Sequence, residues 1–106
     1  MKSFNMISQI LNEVQMFDGV KKLDKLDKRE LTRALRDAII AEHQAVKHYE
    51  AIVDSTDNKK VQKVLQDIAD EERVHVFELQ ELLNLLVDDE EDLQKDAQKE
   101  IKEIIK

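Results

Sequence analysis

Three residues of this 106-residue chain combine type and spacing in a way that points to chemistry: Glu42, Glu72 and His75. Glu72 and His75 stand three apart in the run ADEERVH (69–75). On a helix that spacing puts both on one face, where they offer an oxygen and a nitrogen to the same point. Carboxylate and imidazole donors together suit a divalent first-row metal such as iron or manganese. Both lie on a seam of alternating four- and three-residue steps: Val61, Leu65, Ile68, Glu72, His75, Leu79, Leu82 and Leu86. A second seam with the same alternation runs Leu31, Leu35, Ala38, Glu42, Ala45, Tyr49 and Ile52. Such positions face a partner helix in a bundle. Glu42, Tyr49, Glu72 and His75 are the polar exceptions to an otherwise apolar pattern. An unpaired charge buried there costs several kcal/mol, on the order of the penalty for any desolvated ion, unless something compensates it.

The seams imply the elements that must carry them. Asp27 followed by Glu30 forms a capping-box signature, so a long helix is expected from about Lys28 to Asp54. The run DSTDN (54–58) is the clearest turn, with Thr56 or Asp57 as the next N-cap. A second long helix should run from about Asn58 to Val87, and DDEED (88–92) should start a third. Leu93, Ala97, Ile101 and Ile104 then make one stripe towards the C-terminus. Upstream, Phe4, Ile7, Leu11, Val14 and Phe17 recur at helical spacing within residues 3–17. Gly19 fits a helix stop, and KKLDKLDK (21–28) reads as a charged connector.

Folding the two long helices back to back about Thr56 makes the site. Glu42 precedes the turn by 14 residues and Glu72 follows it by 16. At about 1.5 Å per residue both lie a little over 20 Å from the turn, level with each other. In metal-binding four-helix bundles, two helices each give a Glu and the other two each give Glu-x-x-His. One hairpin here supplies half of that set, and two related by a two-fold axis would supply all of it. Ile39, Val46 and Val53 flank the first seam, and Ala69, Val76 and Leu83 flank the second. These flanking stripes are expected to favour such a dimer. The expected fold is all-α: an antiparallel two-helix hairpin with short N- and C-terminal helices, dimerising into a four-helix bundle. Residues 1–28 form an amphipathic segment and linker, and residues 29–106 form the hairpin with its C-terminal helix.

Composition removes other classes. The net charge of −7 argues against nucleic-acid binding, because phosphates require a basic face. With no cysteine, disulfides, iron–sulfur clusters and thiolate zinc sites are excluded. No apolar run approaches a membrane span, and the N-terminus is a poor signal peptide, so the expected location is the cytoplasm.

The run AIIAEHQAVKHYEAI, followed by LQDIADEERVHVFELQELL, resembles the ferritin-like, rubrerythrin-type di-iron pattern, and most closely the encapsulated ferritins, over roughly residues 30–105. That resemblance implies a Glu from the first helix (Glu42) and Glu-x-x-His from the second (Glu72, His75). Two subunits would complete a di-iron ferroxidase centre at their interface, and dimers would associate into an open ring. It also implies a place inside an encapsulin shell. Departures are visible. The chain ends QKEIKEIIK, without the short Gly/Leu-containing docking peptide common in that family. Its N-terminal segment falls outside the resemblance. The acids that family members carry near the first-helix Glu for metal access are not clearly matched, and His43 stands beside Glu42.

Other residues have plainer readings. Glu42, Glu72 and His75 could instead form a satisfied polar cluster that sets helix register. Tyr49 is either a hydrogen-bond donor beside the site or a core aromatic. Asp70 and Glu71 fit the wet side of their turn. His43 and His48, off the seam, fit solvated positions, with an auxiliary metal role as the alternative. The DDEED run fits a solvated helix start that complements the helix dipole. Two classes of function remain. One is a ferroxidase binding two irons between subunits and oxidising Fe2+ with O2, for iron storage or detoxification. The other is a non-enzymatic helical assembly module. A di-metal oxidase or peroxidase that stores nothing is a variant of the first.

Overall fold

Three helices and no strand make up the described part of the protein. The structure, a computed structural model, describes residues 25–106. Helix α1 spans Lys28–Ser55, α2 Lys59–Leu86 and α3 Glu90–Ile104. The expected N-terminal stripe, Gly19 and the first part of the connector lie outside the described residues.

The capping box forms as its spacing requires. Asp27 accepts from the Glu30 backbone N–H at 2.8 Å, and the Glu30 carboxylate accepts from the Asp27 N–H at 3.2 Å. The hairpin turn corrects one expectation. Asn58 caps α2, accepting from the N–H groups of both Lys60 and Val61 at 3.1 Å. Thr56 instead accepts from the Asn58 N–H, and Asp57 makes no cap. A single amide oxygen satisfying two orphan donors leaves no cap role for its neighbours. Gln62 fastens the turn from the other side, donating to the carbonyls of Thr56 at 2.6 Å and Val53 at 3.3 Å.

Helices α1 and α2 pack antiparallel, and their shared core is narrow. Ala34, Ala41, Ala45, Val46 and Tyr49 are buried on α1, and Ala69, Val76 and Leu83 on α2. Alanines on α1 allow close approach of the two backbones, so Leu83 and Ala69 are sealed completely. Here a second expectation is corrected. Of the flanking residues, Val46, Ala69, Val76 and Leu83 are buried inside the hairpin and are not left for a dimer, while Ile39 and Val53 are half-buried. The outer seam residues Leu31, Ile52, Val61 and Leu82 are the ones exposed, from 36% to 49%. The middle of the seam, with Glu42, Ala45, Tyr49 and Glu72, is buried together with the flanking residues, and the seam opens towards its ends, where the hairpin has no third helix to cover it.

Helix α3 is held at its first turn. Arg36 of α1 donates twice to the Glu90 carboxylate, at 2.8 and 3.1 Å. Gln80 of α2 donates to the same carboxylate at 3.1 Å. The guanidinium and then the Gln80 amide hold the Glu90 carboxyl below its ordinary range, while Glu90 raises Arg36. An exposed pair of Lys28 and Asp88 at 3.9 Å adds little. No residue of α3 is buried.

Candidate metal centre

Glu42 stands midway along α1, between Ala41 and the next inward residue, Ala45. Glu72 and His75 stand midway along α2. The hairpin brings the three level, as the residue count from the turn requires. His75 Nδ1 lies 3.7 Å from Glu42 Oε1 and 3.7 Å from Glu72 Oε2. One donor atom from each of the three lies within 4.8 Å of the others. Among the described residues this is the only such cluster of His, Cys, Asp or Glu side chains.

Burial makes the cluster unusual. Glu72 is fully buried and Glu42 is 3% exposed. Glu42 Oε2 and both Glu72 oxygens are buried without a hydrogen-bond partner. At 3.7 Å the imidazole is too distant for a good hydrogen bond to either carboxylate. Buried carboxylate oxygens left without donors each carry a desolvation penalty of about 1–3 kcal/mol or more. A divalent cation among them would supply the missing partner, and two oxygens with a nitrogen form a donor set suited to iron, manganese or zinc. The residues therefore fit a metal ion. Three protein donors leave the coordination of such an ion incomplete. The His75 side chain, 38% exposed, marks the side on which the cluster opens.

The remaining candidates separate cleanly. Tyr49 is buried in the apolar cluster with Ala45 and Ala69, with Leu65 and Ile68 packed against it. Burial raises its phenol above the ordinary value. Among the described residues, no hydrogen bond joins its hydroxyl to either orphaned carboxylate. Asp70 and Glu71 are exposed, and Asp70 binds Gln66 and Arg73 on the surface. His43 and His48 are exposed, the latter's ring 6.1 Å from that of Tyr49. The acids Asp88, Asp89, Glu91 and Asp92 are also exposed. Sequence reasoning missed the Arg36–Glu90–Gln80 clamp. Its members are far apart in the chain and share no pattern, so no local signal marks them.

Fold and cluster together describe a ferritin-like helical protein with a carboxylate–histidine site. The profile of the Rubrerythrin family matches residues 33–105, and the chain belongs to that family of ferritin-like di-iron proteins. It is similar to the ferritin-like-encapsulin shell fusion protein of Pyrococcus furiosus, 39% identical over 77 residues, covering 73% of this chain and 22% of the relative. It is also similar to the encapsulin nanocompartment cargo protein EncC of Myxococcus xanthus, 41% identical over 59 residues, covering 56% of this chain and 45% of the relative. The chain thus spans less than half the length of either relative. No solved structure matches it significantly. Among the described residues no helix is long and apolar enough to cross a membrane.

Proposed function

We propose that two copies of this chain pair across the open seam and complete a di-iron ferroxidase centre. Each copy gives Glu42, Glu72 and His75. The observation that carries this is the buried trio itself: three metal-donor side chains within 4.8 Å of one another, with three carboxylate oxygens lacking any partner. The half-exposed apolar residues on both sides of the trio support the pairing. Leu31 and Leu82 lie towards one end of the hairpin and Ile52 and Val61 towards the other, all on the seams that carry the trio. Covering them removes apolar surface from water and closes the site against it.

Fe2+ is the substrate. Each of two ions gives up one electron, and O2 takes the pair with two protons to leave as hydrogen peroxide. The chain's own residues bind and orient. Glu72, the more deeply buried carboxylate, would offer both of its unpartnered oxygens to the ions, and His75 would offer a ring nitrogen. Glu42 closes the site from the opposite helix. Four carboxylates per pair favour the higher charge of the ferric product, which draws the reaction forward. Tyr49, lying between the site and the turn, packs the core beneath it. The relatives' names support a place as cargo of an encapsulin shell, with iron storage or detoxification as the purpose and a ring of dimers as the assembly. Manganese is the alternative metal.

Anaerobic titration with Fe2+, followed by admission of air, tests the activity through the near-ultraviolet absorbance of the ferric product. Uptake and oxidation are expected for the native chain and absent for Glu72→Ala. Absent uptake by the native chain would overturn the proposal and favour a cluster that only sets helix register. Oxidation faster with peroxide than with O2 would instead assign the site to peroxide removal.

A further inference from the structure

Helix α3 raises a question that the metal centre does not answer. It has 15 residues, buries none of them, and among the described residues is fastened to the hairpin by the Glu90 clamp at its first turn. Helices of about 12–15 residues are marginal in water unless an apolar face is covered. Its stripe is open: Leu93 is 57% exposed, Ile101 56% and Ile104 81%.

We propose that residues 3–17 of the same chain cover this stripe as an antiparallel partner. Two features of the chain favour that occupant. The first is register. In an antiparallel pairing Phe4 meets Ile104, Ile7 meets Ile101 and Leu11 meets Ala97, with the same steps of three and four on both strips. Val14 then falls one residue short of Leu93, within the reach of a side chain. The second is tether. Residues 18–27 link the segment to the start of α1, and ten residues reach about 33 Å when extended. The start of α1 lies beside the start of α3, since Lys28 approaches Asp88 to 3.9 Å and Arg36 holds Glu90. A segment that packs outward from that end runs antiparallel to α3, the direction that needs the shortest link. The segment lies outside residues 33–105 that match the family.

The absence of native cysteines makes the test direct. The full-length double variant Leu11→Cys/Ala97→Cys is oxidised mildly beside Gln9→Cys/Ala97→Cys, whose first cysteine lies off the stripe. The expected result is a disulfide within one chain, migrating at monomer size without reductant and forming at least tenfold faster than in the control. Equal rates in the two variants would overturn the proposal. Disulfides formed only between chains would also overturn it, and would assign the stripe to a second copy. Hydrogen exchange gives a reading free of cysteines. Leu11→Asp should speed exchange of the α3 amides at least tenfold while Asn12→Asp leaves it unchanged, and unchanged protection in both would again overturn the pairing.

Discussion

A buried carboxylate with no donor is a stored cost, and this protein has two of them facing each other across a hairpin. Glu72 is the clearer case, fully buried with both oxygens unpartnered. Proteins hold such groups where function needs them, at the expense of stability. Glu72→Met keeps most of the volume and removes the orphaned oxygens. The metal-free variant is expected to be more stable than the native chain by about 1–3 kcal/mol, read from thermal or urea unfolding without metal. It should also lose the stabilisation that added metal gives the native protein. A metal-free Glu72→Met that unfolds more readily than the native chain would show that the carboxylate has partners after all. His75 differs from the acids in being half exposed. His75→Ala should therefore cost the apo protein less than about 1 kcal/mol while weakening metal binding, measured by calorimetric titration.

At the scale of elements, the two long helices were legible because their signals are local and repeated. The capping box at Asp27, the turn at DSTDN and fifteen seam positions each announce themselves within a few residues. That Glu42, Glu72 and His75 come together was legible for the same reason, since equal distance from a turn is a count along the chain. Other features were not. Asn58, Asp57 and Thr56 are all competent caps, and only the backbone path decides that Asn58 reaches two N–H groups. Asn58→Ala should cost about 1 kcal/mol of stability, whereas Asp57→Ala should cost almost none. Which stripe the hairpin buries also escaped the pattern, because the seam and its flanking stripe are both apolar and both periodic. The structure buries the middle of both, with Ala45 and Tyr49 of the seam packed against Ala69 of the flanking stripe. The clamp on α3 joins Arg36 to Glu90 across the fold, which no local pattern encodes. Because Arg36 holds the Glu90 carboxyl below its ordinary value of 4.5, its contribution is present above that pH and is lost as pH falls through the lowered value. Helix α3 should loosen in that acid range, seen as faster hydrogen exchange, and Arg36→Ala should produce the same loosening at neutral pH. The clamp is partly exposed, so the loss is expected to be no more than about 1 kcal/mol.

Among the described residues, a hairpin of two 28-residue helices buries a narrow core and leaves Leu31, Ile52, Val61 and Leu82 exposed on both sides of a metal-competent trio. The proposed partner is a second copy, which would bring a second set of Glu42, Glu72 and His75. Leu82, half exposed on the seam, and Leu85, 83% exposed off it, separate folding from pairing. Leu82→Asp should leave the hairpin folded by circular dichroism but shift the protein to monomer, and Leu85→Asp should change neither. The most direct measurement is native mass spectrometry of the protein loaded anaerobically with Fe2+. Dimers, or rings built from them, carrying two irons per pair of chains are expected, with both irons lost in Glu72→Ala. A monomer that holds iron through Glu42, Glu72 and His75, or a dimer that takes up none, would contradict a centre shared between two chains.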